Sequence, residues 1–296
     1  MHQWQSALTL DPLALIIPIC SPNLRGVFPF GLSLNASTIR GTPILRQIEV
    51  AAHAGYRALE IWFADTDAHL RTGGTLSEVR RALDDAGLTV PTLIYLGGWF
   101  EASEAVWPRT RDDCARRLEQ AATLGAAYVI AGPPVGDAEV SRGAARYREL
   151  LEVGDTIGAW PAFEFLGFVK QYCTVESALE VLELAPHPRA ATVLDPFHIF
   201  RGGGSFESIA RLRAQQIAVS HFNDTPPSPS RSEQHDKDRV FPGDGHLNLK
   251  RYLELLAGTG YRGWLSLELF REDLWARDPL EVARLGIEKM RVSLNQ

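Results

Sequence analysis

Between position 31 and the C-terminus, short apolar runs alternate with longer stretches in which apolar residues recur every three or four positions. The first pattern marks buried strands and the second amphipathic helices. Strands are expected at 31–35, 58–63, 88–95, 127–131, 160–165, 191–195, 216–221 and 263–268. Helices are expected over 44–51, 75–86, 110–124, 137–153, 175–182, 205–214, 249–256 and 279–293. Gly55, Gly87, Gly125 and Gly260 stand between helix and strand, where a left-handed residue ends a helix at least cost. Pro91 weakens the middle of the third strand, because proline has no N–H to give to a ladder.

The strands are apolar nearly throughout rather than alternating, as expected of a parallel sheet covered on its faces. Repeated strand–helix units of this number predict an α/β fold, the closed (β/α)8 or TIM barrel: eight parallel strands in a single domain over 31–296. Residues 1–30 are read as an N-terminal extension. An open doubly wound sheet is the alternative, but neither a GxGxxG nor a GxxxxGK[ST] motif supports it. The run Gly202-Gly203-Gly204 reads as a flexible turn rather than a phosphate cradle.

Composition narrows the function further. The chain has 296 residues, 45% hydrophobic and 22% charged, with a formal net charge of -6. That balance gives no general attraction to nucleic acid or to an anionic membrane. Cys20, Cys114 and Cys173 are odd in number and far apart, so no disulfide framework is indicated and a cytoplasmic location is expected. The apolar stretch 13–17 has no Lys or Arg before it and is flanked by Pro12 and Pro18, a poor secretory signal. No run is long enough to span a membrane.

Four side chains at the ends of consecutive strands carry the chemistry: Glu164, Asp195, His221 and Glu268. Taken singly, each has an ordinary reading; Glu268 is a paired structural carboxylate and His221 a satisfied core histidine. Jointly they are poor core filler, since an unpaired buried carboxylate costs several kcal/mol. Neighbouring barrel strands lie about 4.8 Å apart, so four adjacent strand ends can converge on one ion. Three carboxylates and an imidazole suit Mn²⁺, Mg²⁺, Co²⁺ or Fe²⁺, with Zn²⁺ also compatible. The surplus negative charge favours one carboxylate as a base beside the metal.

Asn35 and Glu60, at the ends of the first two strands, point to the same mouth and are expected to contact substrate. His198, three residues past Asp195, and Arg239, in the long loop after strand seven, are candidate contacts to substrate oxygens; a loop histidine and a solvated arginine are their bland readings. Trp62, Trp99 and Phe100 offer an apolar wall for a carbon ring, or simply core and rim. No Ser stands in a GxSxG elbow, so a Ser-His-Asp nucleophile has no support.

At Phe163-Glu164-Phe165-Leu166-Gly167, Leu194-Asp195-Pro196-Phe197-His198, His221-Phe222-Asn223-Asp224, Asp238-Arg239-Val240-Phe241-Pro242-Gly243 and Leu267-Glu268-Leu269-Phe270-Arg271, the chain resembles the xylose-isomerase-like barrel superfamily of sugar isomerases and epimerases. Within it, the inosose (2-keto-myo-inositol) isomerases are the nearest pattern. The resemblance implies one divalent metal held by Glu164, Asp195, His221 and Glu268. It also implies proton transfer by Glu164 and Glu268, and substrate contact by His198 and Arg239. The trinuclear abasic-site endonucleases of the superfamily fit poorly, because Val240 stands where they carry a histidine ligand. The insertion at 226–234, rich in Pro and Ser, is a departure that reshapes the Arg239 loop.

The expected function is therefore a divalent-metal-dependent isomerase or epimerase of a polyhydroxylated ketone, a ketoinositol or ketose, acting through an enediolate. A dehydratase or lyase on a related keto-sugar, and a non-catalytic sugar-binding barrel, are the alternatives. The partner is a small-molecule sugar or cyclitol, not nucleic acid or membrane. Lack of a phosphate cradle favours a neutral one. Homo-oligomers are compatible with this reading.

Overall fold

The computed structural model describes residues 28–295, so nearly all of the 1–30 extension lies outside the described residues. The elements follow one another as β1 (Gly31–Asn35), α1 (Ile44–Ala54), β2 (Ala58–Trp62), α2 (Phe63–Arg71), α3 (Leu76–Ala86), β3 (Thr92–Leu96), α4 (Trp107–Thr123), β4 (Tyr128–Ala131), α5 (Val140–Ile157), β5 (Trp160–Glu164), α6 (Val175–Leu184), β6 (Ala191–Leu194), α7 (Pro196–Arg201), β7 (Ile217–His221), α8 (Leu249–Gly258), β8 (Trp264–Leu267), α9 (Glu272–Trp275) and α10 (Pro279–Leu294). Every strand pairs in parallel with its neighbours in sequence, and β8 pairs with β1 to close the barrel.

Apolar strands produce this arrangement because both of their faces are buried. Ile94, Ile130, Ala162, Val193 and Val219 meet inside the barrel, while Leu34, Leu59, Leu93, Val129 and Phe163 pack outward under the helices. Helix ends follow the local signals. Thr75 and Glu78 form a reciprocal capping box before α3, and Gly55 ends α1 at φ 94°, a conformation costly for residues with a Cβ. Among the described residues, no helix is long and apolar enough to cross a membrane.

Several elements differ from the sequence expectation, and the helices α2 and α9 are additions to it. β3 begins only at Thr92, after Pro91, and Thr89 keeps one isolated bridge to Ala58. The 205–214 stretch forms two 3-10 segments, Phe206–Arg211 and Ala214–Gln216, instead of an α-helix. An unforeseen short helix, α7, begins directly after Asp195. There Pro196 occupies the first turn, where its missing N–H goes unnoticed.

Candidate active site

At the C-terminal ends of β5 to β8 the barrel presents its polar residues. Asp195 closes β6 and caps α7: its Oδ1 accepts from the amides of Phe197 (2.8 Å) and His198 (3.4 Å) and from Asn223 Nδ2 (3.1 Å). This leaves Oδ2 aimed inward with no hydrogen-bond partner. The same cap sets His198 one helical turn from Asp195, so the spacing of the two residues is a consequence of the helix start.

His221 ends β7 and is the meeting point. Its Nδ1 lies 3.1 Å from Glu268 Oε2, 3.4 Å from Glu164 Oε1 and 3.5 Å from Asp195 Oδ2. Its Nε2 faces Glu60 Oε2 at 3.4 Å. Neither ring nitrogen has an aligned hydrogen-bond partner. One N–H can serve one acceptor, so three carboxylates around one nitrogen attract only through a shared cation, a proton or a metal ion. Donor atoms of Asp195, His221 and Glu268 all fall within 4.8 Å of one another, as do those of Glu164, Asp195 and His198. The residues present therefore fit a divalent ion, and the His221 nitrogens, with Asp195 Oδ2 free of any aligned hydrogen bond beside the Arg239 cation, are the atoms available to it.

The electrostatics follow from burial and crowding. Glu164 is pushed up to about 7 by burial and by the Glu268 and Asp195 charges, against the lowering effect of His221. Burial opposes charge on His221, but Glu268, Glu60, Asp195 and Glu164 together hold it well above the usual imidazole range. Burial would raise Asp195; Arg239, His198 and His221 overcome it and keep that carboxyl well below its usual range. Burial brings His198 down to about 4, so its ring is neutral near pH 7.

Arg239 reaches this cluster from the loop after β7. Its guanidinium is almost fully buried, hydrogen-bonded to Glu268, 3.0 Å from Asp195 Oδ2 and 2.9 Å from Asp236. It lies over the rings of Phe197 and Phe270, at 4.7 and 5.3 Å from their centroids. The loop is held by Asp224, which pairs with Val240 as an antiparallel bridge and whose carboxylate accepts from the amides of Thr225, Gly243 and Leu247. The 226–234 insertion folds back through buried Gln234, which donates to the carbonyls of Pro226 and Pro229.

Asn35 and Glu60 were expected to contact substrate, yet both are wholly buried behind Glu268 and His221. Asn35 Nδ2 donates to Glu60 and Glu268, at 3.0 Å each, while its Oδ1 accepts from Ser37 N and Trp62 Nε1. Thr92 donates to Glu60. Trp99 and Phe100 do not form a wall of the site. Both are fully buried behind β5, packed against Phe163. Trp62 alone of that trio reaches the rim, edge-on to Phe270.

Sequence reading missed Tyr95, Asn223 and Asp224 as site residues. Tyr95 is the residue bulged out between the pairs Ile94–Ile130 and Leu96–Ala131. A Cβ at Gly132 would collide with its hydroxyl. Since Ala131 pairs with Phe163, Gly132 stands level with Glu164, and the phenol overhangs the mouth beside that carboxylate. Burial, with the Glu164 charge adding to it, raises the Tyr95 phenol. The Gly97-Gly98 pair just after a strand was the available signal.

Residues 48–292 match the family model for the xylose isomerase-like TIM barrel. An inosose isomerase of Halalkalibacterium halodurans is 28% identical over 81% of this chain and 87% of its own length. A 3-dehydroshikimate dehydratase of Pseudomonas aeruginosa is 27% identical over 81% of this chain, which spans 38% of that longer protein. Among solved structures, the IolI protein with a bound zinc atom superposes at a TM-score of 0.82, covering 89% of this chain and 98% of its own at 23% identity. With the closed eight-stranded barrel and the match across most of its length, the chain belongs to the xylose isomerase-like TIM barrel family.

Proposed function

We propose that the protein is a metal-dependent enzyme that isomerises or epimerises a polyhydroxylated ketone, a ketoinositol or a ketose, by proton transfer through an enediolate. The observation that carries this reading is the convergence of Glu164, Asp195 and Glu268 on one unpartnered imidazole nitrogen of His221. The relatives, inosose isomerase among them, support a sugar or inositol isomerase type of activity.

Glu164, Asp195, His221 and Glu268 would hold one divalent ion, and such an ion supplies Lewis acidity that makes a hydrogen beside a carbonyl more acidic. Glu164, with its carboxyl pushed up to about 7, is matched to accept a carbon-bound proton near neutral pH. Glu268, on the next strand but two, returns the proton at the neighbouring carbon or on the other face. The two roles exchange for the reverse reaction.

His198 and Arg239 orient oxygen. The Gly167 amide lies 3.2 Å from His198 Nδ1, and Arg239 Nη2, which can only donate, lies 3.0 Å from Nε2. The neutral ring has one acceptor nitrogen and can answer only one of these two donors. A substrate oxygen entering here takes the remaining donor, the position for an oxyanion developing on the substrate. Tyr95 adds a phenolic donor beside Glu164.

The dehydratase relative favours one second reading, in which the same enediolate expels hydroxide instead of being reprotonated. Glu268→Gln tests the proposal. Metal stoichiometry should persist while exchange of carbon-bound hydrogen with solvent falls by about 10²- to 10⁴-fold; near-wild-type exchange would remove Glu268 from proton transfer.

A further inference from the structure

Beside the barrel mouth lies an open cleft of about 540 Å³ between Arg40, the 270–275 segment and the 235–237 turn. Arg40 follows the 3-10 turn after β1 and is exposed. Its guanidinium carbon stands 5.0 Å from the ring centroid of Trp275, 5.3 Å from Phe270 and 5.6 Å from Trp62. The aromatic platform holds the cation in place, and among the described residues no carboxylate lies within 4.0 Å of it. A guanidinium whose faces are engaged by rings keeps its N–H edge for a ligand, and that edge matches a carboxylate or phosphate.

The other charges of the cleft are mostly taken. Asp273 is held by Arg271 at 2.6 and 2.8 Å, and Asp236 by Arg239 at 2.9 Å. Among the described residues Arg40 forms no ion pair within 4.0 Å, and Asp65, whose carboxyl burial raises and the Arg40 charge lowers, is the acid facing it from the barrel side. Lys237 is the second cation of the lining, against Glu272. The cleft also adjoins the reacting centre: Phe270 carries Arg40 and Arg239 at 5.3 Å each from the same centroid. Arg40 thus stands one aromatic ring away from Arg239, close enough to the reacting centre to meet the far end of a substrate held there.

Building on the isomerase reading above, we propose that Arg40, helped by Lys237, forms an oxyanion subsite. The substrate would then be a polyhydroxy ketone bearing a carboxylate or a phosphate monoester, in place of the neutral sugar that the sequence favoured. A GxGxxG-like loop is unnecessary for this, because a stacked side chain provides the donors.

The test titrates the full chain with D-fructose, D-fructose 6-phosphate and 5-keto-D-gluconate, following tryptophan fluorescence, since Trp62 and Trp275 stack on Arg40. Carbon–hydrogen exchange with solvent is read in parallel. The wild-type protein should bind one anionic ketose at least about tenfold more tightly than fructose, the size of one charge-assisted hydrogen bond. Arg40→Gln should bring that ratio to near one, and Arg40→Lys should restore part of it. Preference for the 6-phosphate identifies a phosphate ester, and preference for the gluconate a carboxylate. Equal binding of all three by the wild type, or a preference that survives Arg40→Gln, overturns the subsite. Arg40-dependent binding with no exchange from any ketose upholds the subsite and counts against the isomerase reading.

Discussion

The mouth of the barrel has two halves built from similar residues and treated differently. On the β1–β3 side, Glu60 and Asn35 are completely buried, and their polar atoms meet Thr92, Trp62, Ser37 and one another. On the β5–β8 side, Glu164, Asp195, His221 and Glu268 are nearly as buried, yet both His221 nitrogens lack an aligned hydrogen-bond partner and Asp195 Oδ2 meets only the Arg239 cation, at 3.0 Å. Burial alone thus does not separate a site from its support. Satisfaction does: a buried polar group with aligned hydrogen bonds builds structure, and one left without them where several carboxylates converge is held for a ligand.

The two halves should therefore fail in different ways when altered. The largest effect is expected from His221→Ala, which removes the nitrogen on which three carboxylates converge. It should abolish stoichiometric metal binding, read by elemental analysis after dialysis, while circular dichroism reports an intact barrel. Stoichiometric metal in this variant would refute the ligand set.

Next comes Asn35→Ala on the satisfied side. It frees Glu60 and Glu268 from one donor and should lower metal affinity by about 10- to 100-fold, as loss of a ligand-orienting partner does. It should also destabilise the metal-free protein by about 1–3 kcal/mol, because buried acceptors lose a partner. Unchanged thermal unfolding would show that the two halves are not distinguished by satisfaction.

Protonation sharpens the contrast. Glu164 at about 7 and His221 well above its usual range hold protons near neutrality that a bound ion must displace. The metal-free site binds more protons than the loaded one, so affinity should rise with pH, by at most about tenfold per unit for each proton displaced. Isothermal titrations in two buffers of different ionisation enthalpy should register proton release below pH 7. The smallest effect is expected from Tyr95→Phe, which removes a rim hydroxyl without disturbing the ring seated over Gly132. KM should rise by no more than about tenfold, with metal binding unchanged.

Much of this was legible in the sequence for one reason. In a parallel barrel all strands end on the same side, so Glu164, Asp195, His221 and Glu268 had to meet once eight strand–helix units were recognised. Arg239 and His198 came with the motifs around them. Other features depended on tertiary detail that no periodicity carries. The bulge that turns Tyr95 into the mouth is a mismatch of pairing between β3 and β4, invisible in either strand alone. Trp99 and Phe100 were candidates for the wall because they follow a strand end, but Gly98, at φ 71°, turns the chain there and both rings go to the core behind β5. Glu60 and Asn35 were placed correctly at the mouth; only the partners around them separate support from contact.

The most direct measurement is proton NMR in D₂O of the metal-stripped protein, with and without added Mg²⁺ or Zn²⁺, against ketoinositols and ketoses. The account predicts that a carbon-bound proton signal beside the carbonyl disappears only when metal is present, and that Glu164→Gln and Glu268→Gln both suppress the loss. Exchange that continues unchanged in the stripped protein, or no exchange with any of these compounds despite stoichiometric metal, would contradict it.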